Sequence, residues 1–312
     1  MSNPSGKTFS TLPLFDPSAG QLVRAPLGDG AGYWAGAPNA CFDSLTNSFY
    51  LVYRQRQPKE QGRGIECRIA HSSNGVAFTD IWALSKATMN ALSIERTALL
   101  RTPDQKWRLY IGNVDPATGR WQISMLEADE PDGFNISTRL PILTAESIGA
   151  QRVKDPNCFV IGGMIYLVCS YMPIDPKPGE VTIRSGVAIS GNGRDFQWLG
   201  DVTPIGPLKQ WDAYSRRISA LLPISSGGYM AFYDGAQTED ENYEERTGLA
   251  FTSDLRTFHT LSLQSAALVS PHSSGSLRYL DVISVGDELF YYYEIARDDG
   301  AHELQMSVVK RE

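Results

Sequence analysis

A unit of about sixty residues recurs five times along this 312-residue chain, and no other feature restricts the possible folds as tightly. Its clearest mark is a hairpin, seen in Ala70-His-Ser-Ser-Asn-Gly-Val-Ala-Phe78, Ala188-Ile-Ser-Gly-Asn-Gly-Arg-Asp-Phe196 and Ala250-Phe-Thr-Ser-Asp-Leu-Arg-Thr-Phe258. In each, a strand ends at alanine, a Ser/Asn/Asp/Gly turn follows, and an aromatic opens the next strand at a fixed offset. Leu126-Glu-Ala-Asp-Glu-Pro-Asp-Gly-Phe134 is a weaker copy with the same offset.

Upstream of each hairpin lies a second pair of apolar strands with an aromatic-rich return, such as Asn157-Cys-Phe-Val followed by Ile165-Tyr-Leu-Val. The markers Phe42, Leu99, Phe159, Leu221 and Val282 fall 57, 60, 62 and 61 residues apart. Four antiparallel strands fit each step, which predicts an all-β five-bladed β-propeller in one domain spanning 1–312. The blades run over about 36–85, 93–142, 153–204, 215–264 and 277–309. The fifth is one strand short, so an N-terminal segment, 9–14 or 21–25, is expected to complete it and cover a sheet edge. The helical pattern is confined to a short stretch at 80–91, with a turn at 144–149.

The apolar fraction of 42% supports a large core, and the net charge of −7 argues against nucleic acid or an anionic membrane as partner. No stretch reaches the length of apolar residues that a membrane span needs, and the opening residues lack a secretory signal, so a cytoplasmic protein is expected. Cys41, Cys67, Cys158 and Cys169 have neither C-x-x-C spacing nor nearby histidines, and read as buried free thiols; no metal and no cofactor is expected.

In such a fold the first strand of every blade faces the centre, so the openings of those strands carry the chemistry. They read Trp34-Ala-Gly-Ala-Pro-Asn39, Ser93-Ile-Glu-Arg96, Val153-Lys-Asp-Pro156, Trp211-Asp-Ala-Tyr-Ser-Arg-Arg217 and Leu277-Arg-Tyr-Leu-Asp281. Carboxylates crowded there raise one another's proton affinity, which yields the acid and the ionised partner that cleavage of a glycosidic bond requires. Glu95, Asp155, Asp212 and Asp281 are the candidate catalytic acids. Trp34, Tyr214 and Tyr279 suit sugar faces, and Asn39, Arg96, Arg217 and Arg278 suit hydroxyls or a carboxylate. In the last blade Glu294 and His302 flank a short loop and complete the candidate ligands. The run Glu239-Asp-Glu-Asn-Tyr-Glu-Glu-Arg246 reads as a solvated acidic loop. The same channel also suits a non-catalytic carbohydrate-binding propeller, or a lyase or transferase acting on a small molecule.

The segment Val153-Lys-Asp-Pro-Asn-Cys-Phe-Val-Ile-Gly-Gly-Met-Ile-Tyr-Leu-Val168 resembles the Asp-Pro strand of the five-bladed propeller glycoside hydrolases, the group of arabinanases, xylosidases, invertase-type fructosidases and mannoside phosphorylases. The Ser-Asn-Gly and Ser-Asp-Leu turns are similar to theirs as well. The resemblance implies a glycosidase acting on a small carbohydrate, with Asp155 in catalysis or in tuning the acid. The group's glutamate acid follows the Asp-Pro blade, whereas Glu95 precedes it, so Glu95 is the proton-donor candidate by its own position and not by the resemblance. The resemblance also implies an aspartate base in the first blade, where this chain has Ala37-Pro38; Asp29 and Asp43 are the nearest alternatives.

Overall fold

The computed structural model describes residues 12–208, 210–225 and 227–311; residues 9–11 of one expected closing segment lie outside them. The repeat folds as four antiparallel strands in chain order. β1 (Gln21–Arg24) precedes the first unit, which comprises β2 (Trp34–Asp43), β3 (Ser48–Arg56), β4 (Gly64–Ser72) and β5 (Thr79–Ser85). The second comprises β6 (Ile94–Arg101), β7 (Trp107–Val114), β8 (Trp121–Ala128) and β9 (Leu140–Thr144), and the third β10 (Ala150–Ile161), β11 (Met164–Pro173), β12 (Arg184–Ser190) and β13 (Gln197–Asp201). β14 (Ser215–Pro223), β15 (Tyr229–Ala236), β16 (Arg246–Thr252) and β17 (His259–Thr260) form the fourth.

The last unit holds only β18 (Leu277–Val285), β19 (Glu288–Ala296) and β20 (His302–Lys310). β1 pairs antiparallel with β20, Gln21 opposite Met306, so 21–24 is the segment that covers this edge. A single parallel bridge from Trp34 to His302 links the last unit to the first. The stretch 80–91 is not helical: Thr79–Ser85 is the edge strand beside β4, with exposed and partly covered residues alternating along most of it, and 86–90 is a turn.

The outer hairpins share one turn, and its chemistry explains the fixed offset. Ser72, Ser190 and Thr252 each accept from the amides two and three residues on. Asn74, Asn192 and Asp254 then accept from the next two amides. The third turn position takes positive φ, at Gly75, Gly193 and Leu255. Between the sheets lie apolar clusters shared by neighbours: Val52 and Ile69 meet Leu99 and Leu109, Ile123 meets Leu167, Val187 meets Ile218, and Leu222 meets Val282. Phe49 and Leu51 of the first sheet meet Phe290 and Leu304 of the last.

Candidate functional site

The five first strands β2, β6, β10, β14 and β18 converge, and a belt of buried polar side chains ties them together. Asn39 donates to Asn157 (3.0 Å) and to Asp281 (3.1 Å), and its carbonyl oxygen accepts from the Leu99 amide (2.8 Å). Asp281 also accepts from the Ala40 amide (2.7 Å), and Asn157 reaches the Ser219 carbonyl (2.5 Å) and Asp281 (3.3 Å). Arg96 adds a strut, with its guanidinium on the carbonyls of Pro38 (2.9 Å) and Ser219 (2.8 Å). Every one of these strands thus contributes to one hydrogen-bonded layer.

To one side of the belt each first strand breaks register with its partner, between Gly36 and Asn39, Ile94 and Thr97, Lys154 and Asn157, Ile218 and Ala220, and Arg278 and Asp281. Such bulges turn a side chain out of the alternation of the pleat. Ala37, Asp155 and Tyr279 sit in them at φ of 50°, 54° and 51°, a left-handed conformation costly for tyrosine and alanine and tolerated by aspartate. Glu95 and Asp155, which lie in these breaks, join charged residues from neighbouring strands and a loop in an alternating chain. Glu95 meets Arg54 (2.8 Å), Arg54 meets Glu294 (3.2 Å), and Glu294 meets Arg278 (2.7 Å). Arg278 meets Glu245 (2.6 Å), Glu245 meets Arg217 (2.8 Å), Arg217 meets Asp155 (3.4 Å), and Asp155 meets Lys154 (3.1 Å).

This pairing reverses the electrostatics expected from the sequence. Burial alone would raise each acid, but Arg54, Arg56, Lys154 and Arg63 hold Glu95 well below the usual carboxylate range. Burial likewise opposes Lys154 and Arg217 at Asp155, and the two cations prevail and lower it. Glu245 and Glu294 are lowered too, by Arg217 with Arg278 and by Arg278 with Arg54. Asp234 behaves differently: burial, reinforced by Glu245, pushes it up to about 6 against the pull of Arg217. It accepts from the Tyr279 amide (2.8 Å) and from Arg217 (3.3 Å).

Glu95, Glu245, Arg217, Arg278 and Tyr279 line one cavity, roofed by Tyr243 on the loop between β15 and β16. Its volume of about 20 Å³ holds roughly one water molecule. Asp155 lies just behind, with Ser170 (2.9 Å) and the Tyr279 hydroxyl (3.4 Å) as further partners. Trp34 is buried beside it, stacked on His302 (4.8 Å) with Arg56 (4.0 Å) and Arg278 (4.5 Å) over its ring. His302 is enclosed between Glu294 (2.9 Å) and Glu244 (3.0 Å).

Other sequence candidates lie elsewhere. Asp212 is buried on Arg216 (2.9 Å) and the Tyr233 hydroxyl (2.7 Å), away from the cavity. Tyr214 lines a separate surface pocket with Leu208 and Gln237. Asn39 and Asp281 face a larger cavity of about 530 Å³ beyond the belt, walled by Phe42, Phe159 and Leu221, where Asp281 is the one carboxylate. No aspartate takes the place of Ala37: Asp43 caps the β2–β3 turn and Asp29 pairs with Arg297 at the surface. Instead Glu294 reaches over from β19 to the Ala37 amide (3.0 Å), and its carboxylate fills the space above Gly36.

The 239–246 run is not merely solvated. Glu245 is buried between two arginines, Tyr243 covers the cavity, and only the earlier part faces water. Sequence reasoning also passed over Arg54 and Asp234. They stand opposite the first-strand openings at equivalent places, where Arg54, Asn113, Ser170, Asp234 and Glu294 pair with Gly36, Ile94, Lys154, Arg217 and Arg278. A polar residue recurring near the end of an otherwise apolar second strand was the available signal.

No protein-family model and no curated protein matches the chain. Solved structures do. RS223 β-xylosidase superposes with a TM-score of 0.68 at 11% identity, covering 94% of this chain and 95% of that one. The chain has the fold of that protein. A thermostable family-43 glycoside hydrolase gives 0.66 at 14% identity over 92% of both chains. The β-1,2-mannobiose phosphorylase from Listeria innocua gives 0.61 at 16%, again over 92% of both.

Proposed function

We propose that this chain is a single five-bladed propeller that cleaves a glycosidic bond in a small carbohydrate ligand, at the cavity beneath Tyr243. Four four-stranded units, a three-stranded fifth with β1 on its open edge, and clusters shared between each unit and the next support a closed ring. The observation that carries the catalytic reading is that Glu95 and Glu245, from the second and fourth units, line one cavity together with two tyrosines. Proteins of this fold include a β-xylosidase and a mannobiose phosphorylase.

Both carboxylates are held ionised, so Glu95 is not the proton donor that its place in the sequence suggested. Glu95 and Glu245 serve as the charged partners that attack, activate water or stabilise a developing positive charge. The proton comes from Tyr243: burial raises its phenol, but Arg63, Lys154, Lys59 and Arg56 prevail and lower it, and Arg63 donates to its oxygen (3.1 Å). A sugar ring does not fit the closed cavity, so the Tyr243 side chain has to swing aside to admit it, while Glu245 stays held by Arg217 and Arg278.

The test is hydrolysis of a panel of nitrophenyl glycosides by the wild type, Glu95→Gln, Glu245→Gln and Tyr243→Phe. Each substitution is expected to lower kcat by about 10²-fold or more. Undiminished activity in both glutamine variants sinks the assignment. A second reading, a sugar-binding propeller, is favoured by one observation: neither carboxylate lining the cavity is neutral near pH 7. Sugar binding without turnover of any glycoside would select it.

A further inference from the structure

The cavity under Tyr243 has a charge that a neutral sugar does not explain. Six cations line it, Arg56, Arg63, Arg152, Lys154, Arg217 and Arg278, against the two carboxylates Glu95 and Glu245. Arg217, Arg278 and Lys154 belong to the alternating chain and are matched there. Arg56 and Arg63 reach Glu95 only at 3.4 and 3.6 Å, and Arg54 already holds that carboxylate at 2.8 Å. Among the described residues Arg152 has no acid within ion-pair distance. Asp234 and Glu244 stand behind Arg217 and His302 rather than in the cavity wall.

A second observation is independent of the charge count. The Nε atoms of Arg56 and Arg217, whose side chains are 3% and 5% exposed, have no hydrogen-bond acceptor in the protein. A buried guanidinium donor left without an acceptor is costly, and an oxyanion, a carboxylate or a phosphate, is the group that satisfies it. The field is visible in the neighbours as well. Arg56 is lowered, first by burial and then by Arg54, Arg278 and Arg63, with Glu95 opposing, and the Tyr243 phenol is lowered by four surrounding cations. The wall of this cavity thus holds more cations than acids, although the chain as a whole has a net charge of −7.

We infer that the cavity binds an oxyanion, so that the ligand of this site is a carbohydrate bearing a carboxylate or phosphate rather than a neutral sugar. The inference rests on the proposed site and narrows its substrate class. The anion forks onto Arg56, the free Nε of Arg217 adds one further donor, and Arg63 and Arg152 at the mouth draw it in. The sugar ring then lies toward Tyr243, with Glu95 and Glu245 on either side.

Titration calorimetry at 50 mM NaCl with D-glucuronate, inorganic phosphate and D-xylose tests this on the wild type, Arg152→Gln and Arg63→Gln. Arg152 has no internal acid to abandon, so its substitution leaves the fold intact, as a thermal melt will check. Glucuronate, phosphate or both are expected to bind at least about tenfold more tightly than xylose, and each substitution to weaken the anion by about tenfold. Glucuronate binding identifies the carboxylate of a sugar as the source, and phosphate binding alone identifies a phosphate. Xylose binding as tightly as glucuronate without any binding of phosphate overturns the inference, as does anion binding unchanged in both variants. Hydrolysis of neutral glycosides without anion binding removes this inference and leaves the cleavage reading. Anion binding without hydrolysis does the reverse.

Discussion

Arg217 is the residue on which the site's electrostatics turn, because three buried carboxylates, Glu245, Asp155 and Asp234, meet its guanidinium between 2.8 and 3.4 Å. Removing one partner of a buried pair leaves an uncompensated charge in a poorly solvated place. Arg217→Met is therefore expected to lower the unfolding free energy by roughly 3–5 kcal/mol, read from urea denaturation; a loss under about 1 kcal/mol would show that the pairs contribute little net. Asp234 makes a separate prediction. Its carboxyl is raised from 3.8 to about 6, so in that window the folded chain keeps a proton that the unfolded chain releases. Stability from this group then falls as pH rises from about 4 to about 6 and is level above. The total is on the order of 3 kcal/mol. Glu294 has the opposite sign, since its lowered value gives stability present above 4.5 and lost on acidification. Melting temperature against pH in Asp234→Asn should lack the decline between about 4 and 6, and an unchanged slope would reject the assignment.

At the scale of strands and turns, the repeat was legible because its turn chemistry is local: Ser72, Ser190 and Thr252 each satisfy the same two amides, and no distant contact is needed. The site was legible only in part, for a reason of geometry. Glu95, Asp155, Arg217, Arg278 and Tyr279 stand in the first strands, where a propeller reading directs attention. Arg54 and Asp234 arrive from second strands opposite the bulges, and a bulge leaves no mark in composition, whereas Glu294 was marked by its place beside the last hairpin loop. Tyr243 and Glu245 were concealed by the acidic residues around them. The closing strand tests how far one element carries the fold. Arg24 in β1 reaches across to Tyr53 (3.2 Å), the Phe78 carbonyl (2.9 Å) and Asp80 (2.9 Å) in the first sheet, so β1 fastens the last sheet to the first. A chain lacking residues 1–25 bares the edge of β20 and is expected to aggregate on gel filtration. Arg24→Ala, which keeps β1, should remain monodisperse with a loss of about 1 kcal/mol; aggregation of that variant would place the closure in the arginine rather than the strand.

For the molecule as a whole, the belt decides whether the sheets are separate modules or one cooperative unit. Repeats that touch only their neighbours unfold piecemeal, as sums of local terms. Here Asn39, Asn157 and Asp281 join strands on opposite sides of the centre, and Arg96 spans from β6 to carbonyls of β2 and β14. Asn157 bridges three strands at once, with its amide nitrogen on Ser219 and Asp281 and its oxygen on Asn39. Asn157→Leu fits the space but leaves Asp281 and Asn39 each short of a partner in a buried layer, a loss of roughly 2–4 kcal/mol. Asp281 is already raised by burial, against Arg96, and losing Asn157 raises it further and favours its neutral form at higher pH. The six tryptophans, in or next to the first four units with Trp34 stacked on His302 of the fifth, report tertiary structure while far-UV dichroism reports strands. Both signals should follow one transition in the wild type and one earlier transition in Asn157→Leu, because strain in the belt is shared by all five first strands. Two separated transitions in the wild type would mean that sheets unfold independently and that the belt is decoration on a modular chain.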